Sequence, residues 1–441
     1  MSDTREEAIS IVRTLTEAGH SALFVGGCVR DQVMGVEPHD YDIATSAKPE
    51  EVKLLFRRTV PVGEQFGVVL VLLNGNQYEV ATFRSESGYS DGRHPDNVCF
   101  ADAKADVLRR DFTINGLLYD PLTDRLIDHI GGKTDIENHI IRTIGDPRTR
   151  FREDRLRLLR AIRFAARFRY AIEKTTLQAI RELASQVNAV SAERIRVELE
   201  RMLLGPYPDL TVDLMEQTGL LQEILPEVAA LKHTPQPENF HPEGDVFIHT
   251  KLMLAAMERP SIELAMGVLL HDIGKPPTLT VRDRIRFDNH NTVGAEMAGN
   301  ICQRLRFSTA ETKRIVHLVS GHMRFMSAPQ MRPGRLKTFL STQHFDDHLE
   351  LHRLDCLASH GDLSVYEFCR SKLKEYTQEE LKPPPLLGGR DLIEIGLEPG
   401  PIFSSILEAV REAQLEGDIN SRDEALSFVR SRFPDAKRSK D

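Results

Sequence analysis

The sequence predicts an α+β fold in which a small mixed α/β domain precedes a long series of helices. Short β-rich runs separated by turn residues are confined to the first third of the 441 residues. Beyond them, apolar residues recur at the 3.6-residue period of α-helices, and most of the 16 histidines fall between residues 240 and 370. These changes predict a head at 1–145, an all-helical neck at 146–225, a helical body at 226–380 and a helical tail at 381–441.

Composition and charge limit the class of protein. Hydrophobic residues make up 41% and charged residues 28% of the chain, as in ordinary globular proteins. The polar N-terminus has no signal-peptide pattern and the longest apolar run, VVLVLL, is too short to span a bilayer, so we expect a cytoplasmic protein with no membrane partner. The 5 cysteines are scattered and form no CxxC pair, which fits a reducing compartment. The net charge of −9 argues against indiscriminate nucleic-acid binding, although a local basic surface can still exist.

The elements follow from local patterns in chain order. Ile9, Val12 and Leu15 have helical spacing in TREEAISIVRTLTEAGH, and Gly19 fits the end of that helix. In the head we then predict strands in SALFVGG, HDYDIAT, GVVLVLL and QYEVATF, and a helix in KPEEVKLLFRR. In the neck we predict helices in REDRLRLLRAIRFAARF and SAERIRVELERML, followed by a break at LGPYPDL. LKPPPLLGGRDL is the predicted linker into the tail.

Two aspartates in the second predicted strand suggest a metal site. Asp40 and Asp42 are one residue apart, so a strand would project both from one face. Adjacent carboxylates repel each other unless a cation lies between them, and Mg²⁺ held by carboxylates and substrate phosphates is a common solution. Gly26 and Gly27 would let the backbone approach a phosphate, and Arg30 would add positive charge. The alternative, for DxD taken alone, is a pair of solvated loop carboxylates.

The segment containing these residues resembles the head signature of a known family. LFVGGCVRDQVMGVEPHDYDIAT, VLRRDFTINGLLYD, LIDHIGGKTDIENHIIRTIGDP, REDRLRLLRAIRF and SAERIRVELERML are similar to the motifs of class II tRNA nucleotidyltransferases. These are the CCA-adding enzymes, related to bacterial poly(A) polymerases and more remotely to DNA polymerase beta. The resemblance implies a polymerase beta-like head in which Asp40 and Asp42 hold catalytic Mg²⁺. It also implies template-independent addition of CCA to the 3′ end of tRNA from CTP and ATP by two-metal nucleotidyl transfer.

A third carboxylate near this site has two candidates. Glu79 in QYEVATF and Asp111 in RRDF could each serve, and each could instead be an ordinary ion-pair partner. We rank Asp111 slightly higher, because Arg109 and Arg110 beside it would bring positive charge toward phosphate or ribose.

Nucleotide selection is predicted to reside in the neck. Residues 148–169 contain 9 arginines against two acids, and a helix would make Asp154 and Arg157 neighbours at i and i+3. A carboxylate acceptor and a guanidinium donor complement the edges of cytosine and adenine but not those of guanine and uracil. The alternative is a surface salt bridge between the two side chains. The resemblance assigns the base-reading role to Asp154 and Arg157 and places Arg160 and Arg163 near the triphosphate.

Two features bear on which nucleotides are added. The polar segment at 83–111 has no helical period and is predicted to be a full-length mobile loop, which the family associates with the switch from C to A addition. Residues 63–69, GEQFGVV, resemble the CCA-adding pattern rather than the arginine-rich run of poly(A) polymerases. CCA addition is therefore favoured, with an A-adding enzyme or a poly(A) polymerase as the alternative.

The histidine-rich body contains FHPEGDVFIHT, ELAMGVLLHDIGKP, FDNHNTVGAEMA, LVSGHMRF and LHRLDCLASH. The order of their histidines and aspartates resembles that of the HD phosphohydrolase superfamily. The resemblance implies one or two divalent metals, Mg²⁺, Mn²⁺, Ni²⁺ or Co²⁺, whose bound water becomes a nucleophile. It further implies phosphatase or 2′,3′-cyclic phosphodiesterase activity on tRNA ends. The alternative is a body that only holds RNA, and His241, His317 and His360 are expected to be structural or surface histidines. The predicted ligands are His249, His271, Asp272, His290, His322 and Asp355.

Neck arginines on an otherwise acidic chain indicate recognition of RNA by shape. A tRNA acceptor stem and elbow would be held through backbone contacts, as A-form RNA generally requires. The competing class is a nucleotide-signalling or RNA-binding protein whose head has lost catalysis, and the intact Asp40 and Asp42 argue against it.

Overall fold

The chain folds into two compact units in the computed structural model, which describes residues 4–62, 67–89, 92, 96–237, 244–281 and 283–434. One unit comprises residues 1–229 with 304–306, and the other comprises 230–303 with 307–441. The first combines a sheet with helices and the second is almost entirely helical, which confirms the predicted α+β class. No helix in the described ranges is both long and apolar enough to cross a membrane. The divisions at residues 145 and 380 stay predictions.

The strands of the first unit form one main sheet. Its order in the described part of the chain is β3-β4-β5-β2-β1-β8-β9, with β2 and β5 parallel and the other neighbours antiparallel. Three two-stranded sheets complete the described strands: β6-β7 and β10-β11 in the first unit and β12-β13 in the second. The bounds are Ala22–Val25 (β1), Asp42–Thr45 (β2), Thr59–Pro61 (β3), Val68–Leu73 (β4), Asn76–Thr82 (β5), Arg84–Ser87 (β6), Asn97–Phe100 (β7), Leu118–Asp120 (β8), Arg125–Ile127 (β9), Ile140–Ile141 (β10), Ala171–Ile172 (β11), Leu279–Val281 (β12) and Ile285–Phe287 (β13).

Helices cover the sheet and form the remainder of the first unit. Buried Val107 packs in one apolar cluster with Leu23, Val25, Ala44 and Leu118, so the sheet and α4 share a core. The bounds are Thr4–Glu17 (α1), Gly27–Val33 (α2), Pro49–Leu55 (α3), Ala103–Leu108 (α4), Gly132–Glu137 (α5), Pro147–Glu153 (α6), Arg157–Phe168 (α7), Lys174–Leu183 (α8), Ala192–Leu203 (α9), Pro208–Thr218 (α10), Leu220–Ile224 (α11) and Pro226–Ala229 (α12), with 3₁₀ turns at Thr113–Asn115 and Ala184–Ala189.

The helices that follow residue 230 include the histidine-rich body and the tail. Within this unit α18 packs on α23 of the tail, where Nε of Arg335 donates to Oε1 of Glu412 at 2.8 Å. The bounds are Val246–Ala255 (α13), Ile262–Leu270 (α14), Lys275–Thr278 (α15), His290–Arg304 (α16), Thr309–Gly321 (α17), Pro333–Leu340 (α18), Phe345–Ala358 (α19), Ser364–Glu375 (α20), Gln378–Leu381 (α21), Gly389–Glu394 (α22), Ile402–Glu416 (α23) and Arg422–Arg432 (α24), with a 3₁₀ segment at His322–Gln330.

The neck helix predicted to be continuous is broken. Helix α6 ends at Glu153 and α7 begins at Arg157, and Asp154 between them is extended, with φ −142° and ψ 106°. The Asp154 carboxylate accepts the N–H of Leu156 at 3.1 Å, a local bond that competes with helical pairing. The prediction that Asp154 and Arg157 share one helical face at i and i+3 is therefore wrong.

The segment at 83–111 contains regular structure where a loop was predicted. Strands β6 and β7 pair in antiparallel register, and α4 follows. The Asp102 carboxylate caps α4 by accepting the N–H of Ala105 at 2.8 Å. Residues 63–66, part of the GEQFGVV comparison, and residues 90, 91 and 93–95 lie outside the described part of the chain.

Candidate functional site

The end of β1 and the start of β2 bring the two glycines against the carboxylates. Val25 lies opposite Asp42 in the antiparallel pair, so Gly26 and Gly27 follow β1 beside Asp42. Gly26 has φ 74°, and a Cβ built on it would lie 3.4 Å from Nη1 of Arg110. A side chain is disfavoured here by the backbone conformation.

Asp40 and Asp42 flank buried Tyr41, and both residues line one common cavity. Only Asp42 belongs to β2, because Asp40 immediately precedes the strand. Burial, followed by repulsion from Glu79 and Asp40, raises the pKa of Asp42 to about 6. A buried carboxylate whose charge is destabilised by two neighbouring carboxylates belongs to a donor set that fits a divalent cation.

Glu79 is placed beside Asp42 by sheet pairing. Strand β5 runs parallel to β2 with Ile43 opposite Val80, so the preceding residues, Asp42 and Glu79, are neighbours on adjacent strands. Glu79 is exposed, and its charge contributes to the raised pKa of Asp42. The parallel register therefore makes Glu79 the neighbour of Asp42 and keeps it a candidate for the third carboxylate.

Asp111 has other partners. Its carboxylate accepts from Nη2 and Nε of Arg160 at 2.6 and 2.8 Å, from Nδ2 of Asn115 at 3.1 Å and from the N–H of Phe112 at 2.8 Å. Burial acts to raise the pKa of Asp111, but Arg160 and these hydrogen bonds lower it to about 2. Asp111 thus orients Arg160, and the sequence ranking of Asp111 above Glu79 is not supported by this arrangement.

One cavity of about 680 Å³ unites the predicted head and neck residues. Eight arginines line it together with Asp40 and Asp42, so the cavity combines many positive side chains with the acidic pair. Glu79 is absent from the lining. The predicted site residues that do line it are Gly26, Gly27, Arg30, Asp40, Asp42, Arg110, Asp111, Asp154, Arg157, Arg160 and Arg163.

Asp154 and Arg157 both face this cavity, but each has its own anchor. Nη2 of Arg194 donates to both carboxylate oxygens of Asp154, at 2.8 and 3.0 Å. Nη1 of Arg157 donates to Oε2 of Glu153 at 2.8 Å, and its Nη2 donates to the carbonyl of Arg109 at 3.2 Å. The alternative of a salt bridge between Asp154 and Arg157 is thus not what the structure shows. An acceptor and a donor are instead held separately.

The second unit contains two groups of metal-type ligands, formed by His249, His271 and Asp355 and by Asp272, His290 and His322. Within each group the ligand atoms lie within 4.8 Å of one another. Nε2 of His249 lies 3.1 Å from Oδ1 of Asp355. His271 and Asp272 are consecutive, so one turn after α14 contributes to both groups.

Backbone contacts fix the proton position on three of these imidazoles. Nδ1 of His271, His290 and His322 lies 2.8, 2.8 and 2.7 Å from the carbonyl oxygen three residues earlier. A carbonyl only accepts, so each Nδ1 carries the proton and each Nε2 presents a lone pair. The Nε2 atoms of His290 and His322 face each other at 3.2 Å, and burial lowers the pKa of His322 to about 4. A cation rather than a proton therefore fits between them at neutral pH.

A cavity of about 380 Å³ adjoins these ligands. Buried Lys275 lines it and donates to Oδ2 of Asp272 at 2.7 Å and to Oε1 of Gln236 at 2.6 Å. Ile285, Phe287, Met323 and Met326 supply an apolar wall. The chamber thus combines a candidate metal centre, a fixed cation and an apolar surface.

Three family models match the chain in the order of these features. The Poly A polymerase head domain matches residues 22–142, the probable RNA and SrmB-binding site of polymerase A matches 169–232, and the HD domain matches 246–375. A CCA-adding enzyme of Lactobacillus johnsonii is 31% identical over 425 residues, which cover 95% of each chain. The chain belongs to the CCA-adding enzyme family.

Other members of the CCA-adding enzyme family match in sequence or in structure. A CCA-adding enzyme of Limosilactobacillus reuteri is 45% identical over 218 residues, 49% of this chain and 54% of that protein. The chain thus matches about half the length of this curated relative. The crystal structure of the Bacillus stearothermophilus CCA-adding enzyme in complex with CTP superimposes with a TM-score of 0.71 at 27% identity, covering 99% of this chain and 100% of that one.

Several side chains of the site escaped sequence reasoning. Arg194 anchors Asp154 from α9, and Asn115 joins Asp111 to Arg30, whose Nη1 donates to Oδ1 of Asn115 at 2.8 Å. Lys275 directly follows the HDIG sequence at residues 271–274, and that local position was a signal that could have identified it. The other two depend on contacts that no local pattern reveals.

Three histidines were expected to be structural or surface residues, and the two that the structure describes belong to neither ligand group. Nδ1 of His317 is 3.2 Å from Nε2 of His348, and His360 is exposed at the rim of the 380 Å³ cavity. His241 lies outside the described residues.

Proposed function

We propose that this protein adds CCA to the 3′ end of tRNA, using CTP and ATP and no nucleic-acid template. The observation that carries the proposal is the single cavity lined by the Asp40 and Asp42 carboxylates and by Asp154 and Arg157. One nucleoside triphosphate can therefore place its phosphates near the acidic pair and its base near the neck. Membership of the CCA-adding enzyme family supports the same reaction.

The reaction is transfer of a nucleotidyl group, which depends on positioning and charge. The 3′-hydroxyl oxygen of the RNA forms a bond to the α-phosphorus as the bond to pyrophosphate breaks. Mg²⁺ held by Asp40, Asp42 and Glu79 would supply positive charge to the hydroxyl and to the leaving group. Arg160, fixed by Asp111, and Arg163 offset the charge of the triphosphate.

Base selection follows from the separate anchors of the neck pair. Arg194 holds the Asp154 carboxylate as an acceptor for the exocyclic amine of cytosine or adenine. Glu153 holds Arg157 as a donor toward the adjacent ring nitrogen. Guanine and uracil present a carbonyl beside an N–H, which would face the carboxylate and the guanidinium with the wrong polarity.

Incubation with defined tRNA substrates tests the proposal. The tRNAs lack the last three, two or one nucleotides of CCA, each nucleotide is supplied separately, and the products are sequenced. We expect C on the first two substrates, A on the third, and nothing from GTP or UTP. Addition of A alone would identify the A-adding alternative, long A tails would identify a poly(A) polymerase, and no incorporation would favour an inactive RNA-binding protein.

We further propose that the second unit is a metal-dependent phosphohydrolase acting on phosphomonoesters or 2′,3′-cyclic phosphates at RNA ends. The favouring observation is the pair of ligand groups joined through His271 and Asp272. Mg²⁺, Mn²⁺, Ni²⁺ or Co²⁺ bound there would lower the pKa of a bound water. Lys275 would meet the phosphate. Inactivity toward 2′,3′-cyclic AMP with each metal would favour the alternative of a body that only holds RNA.

Replacing Gly274 with alanine should weaken metal binding by the second unit about 10- to 100-fold. A Cβ at this position would overlap the carbonyl oxygen of His290 and lie 2.7 Å from the backbone nitrogen of Gly294. Helix α16 would have to move, separating His290 from Asp272. Calorimetric titration with Ni²⁺ measures the effect.

Gly299→Ala is the matched control, and Gly299 lies on α16. Its Cβ would meet only Cγ2 of Val316 at an ordinary 3.6 Å, so Ni²⁺ affinity should stay within about twofold. Thermal melting shows whether each variant is folded. Equal Ni²⁺ affinity in Gly274→Ala and the parent would show that these ligands do not form the metal site.

A further inference from the structure

A second groove opens from the catalytic cavity of the first unit. It has a volume of about 660 Å³ and lies between the end of α7 and the turn from α9 to α10. Arg163, Arg167 and Arg201 line both this groove and the catalytic cavity. The groove is therefore a continuation of the nucleotide site along a line of positive charge.

The far end of the groove carries an exposed aromatic ring. Tyr207 is 37% exposed, and the guanidinium of Arg169 lies 5.2 Å from its ring centroid. Leu204 beside it is 46% exposed. The side chain of Arg201 is 56% exposed, and its contact with Glu198 is long, at 3.5 Å. Arginines next to an accessible ring are the combination that binds single-stranded nucleic acid, through phosphates and base stacking.

The side chains of the groove indicate which molecule of the reaction binds there. Pyrophosphate would use the arginines but has no need of a tyrosine ring. The triphosphate substrate already has its base at Asp154 and Arg157 and its phosphates near Arg160. The remaining participant is the RNA whose 3′-hydroxyl must reach Asp40 and Asp42. The match of residues 169–232 to a probable RNA-binding family segment also points to RNA.

We propose that this groove holds the 3′-terminal nucleotide of the acceptor RNA, with its base on Tyr207 and its phosphate between Arg167 and Arg201. The inference rests on the proposed nucleotidyl transfer. Stacking on a ring tolerates any base, because every base has a π-face. A binding site that accepts any base fits this reaction, in which the acceptor ends first in the base that precedes CCA and then in a cytidine.

Replacing Tyr207 with alanine should raise KM for a tRNA that lacks CCA about tenfold to a hundredfold, while KM for CTP stays within about twofold. Tyr207→Phe should behave like the parent because the ring, not the hydroxyl, makes the contact. Leu54→Ala removes a side chain that is 87% exposed on α3 of the same unit and serves as the control. Thermal melting shows whether each variant is folded.

A cross-linking experiment locates the RNA end directly. A tRNA with 4-thiouridine as its last nucleotide should label the peptide containing Tyr207, and a tRNA with the probe several nucleotides inside the stem should not. Anisotropy of labelled RNA in EDTA gives RNA affinity independently of catalysis. This affinity should also fall in Tyr207→Ala.

The possible results test the RNA-binding role of the groove and the proposed CCA addition separately. An unchanged KM for tRNA in Tyr207→Ala, together with no label near Tyr207, would overturn the inference even if the parent adds CCA. A rise in KM for CTP alone would also overturn it, because the groove would then serve the nucleotide. A parent that adds nothing yet shows Tyr207-dependent RNA binding would retain the RNA groove and reject the proposed reaction.

Discussion

Replacing Asp42 with asparagine should lower the rate of nucleotide addition by on the order of a thousandfold or more. Asp42 begins β2 beside Gly26, and it is the carboxylate that Asp40 and Glu79 both influence. An asparagine keeps the size of the side chain but removes the charge that would hold Mg²⁺. Single-turnover addition of CMP to a tRNA lacking CCA is the measurement, with CTP saturating.

The same substitution has a signature in stability that does not depend on activity. The pKa of Asp42 is raised from 3.8 to about 6, so the folded state binds its proton more tightly than the unfolded state. In metal-free protein this contribution is fully present below about pH 4 and is lost as pH rises through about 6, a total of roughly 3 kcal/mol. Asp42→Asn should flatten that part of the stability profile.

Mg²⁺ provides the control for this interpretation. Above pH 6 it should raise the melting temperature of the parent and have little effect on Asp42→Asn, because binding to the folded state alone stabilises it. Full activity in Asp42→Asn would refute the assignment of the acidic pair. Loss of activity with an unchanged Mg²⁺ response would show that Asp42 acts without holding the metal.

The sequence allowed prediction of features that depend on short-range geometry. Asp40 and Asp42 were predicted to face one side, and both line the same cavity on either side of buried Tyr41 even though Asp40 precedes the strand. The α+β class was predictable for the same reason, because strand and helix periods are visible in single segments.

Long-range partners could not be predicted in this way. The sequence favoured Asp111 as the third carboxylate, but this carboxylate accepts hydrogen bonds from Arg160, which lies 49 residues away along the chain. Glu79 is a neighbour of Asp42 because β2 and β5 pair in parallel register. No pattern within either strand specifies that register. Asp154 was expected on a helix, and the helix ends because its own side chain bonds the backbone two residues on.

The break at Asp154 explains how its carboxylate can face the cavity while remaining rigid. A residue within a helix would present its side chain over the preceding turn, whereas an extended residue between two helices can face a cavity. Arg194 then restrains both oxygens. The site is thus built from the end of one helix, the start of the next and a side chain from a third.

Replacing Asp154 with alanine should reduce discrimination between CTP and UTP by about a hundredfold to a thousandfold. The loss arises from both directions: the exocyclic amine of cytosine loses its acceptor, and the carbonyl of uracil no longer faces a negative charge. The ratio of kcat/KM for the two nucleotides on a tRNA lacking CCA measures this discrimination.

Arg194→Ala, which leaves the carboxylate in place but frees it to move, should reduce the same ratio by only about tenfold. Should Asp154→Ala exclude UTP and GTP as sharply as the parent, selection must lie elsewhere in the cavity. An equal loss in both variants would instead mean that Arg194 itself contacts the base.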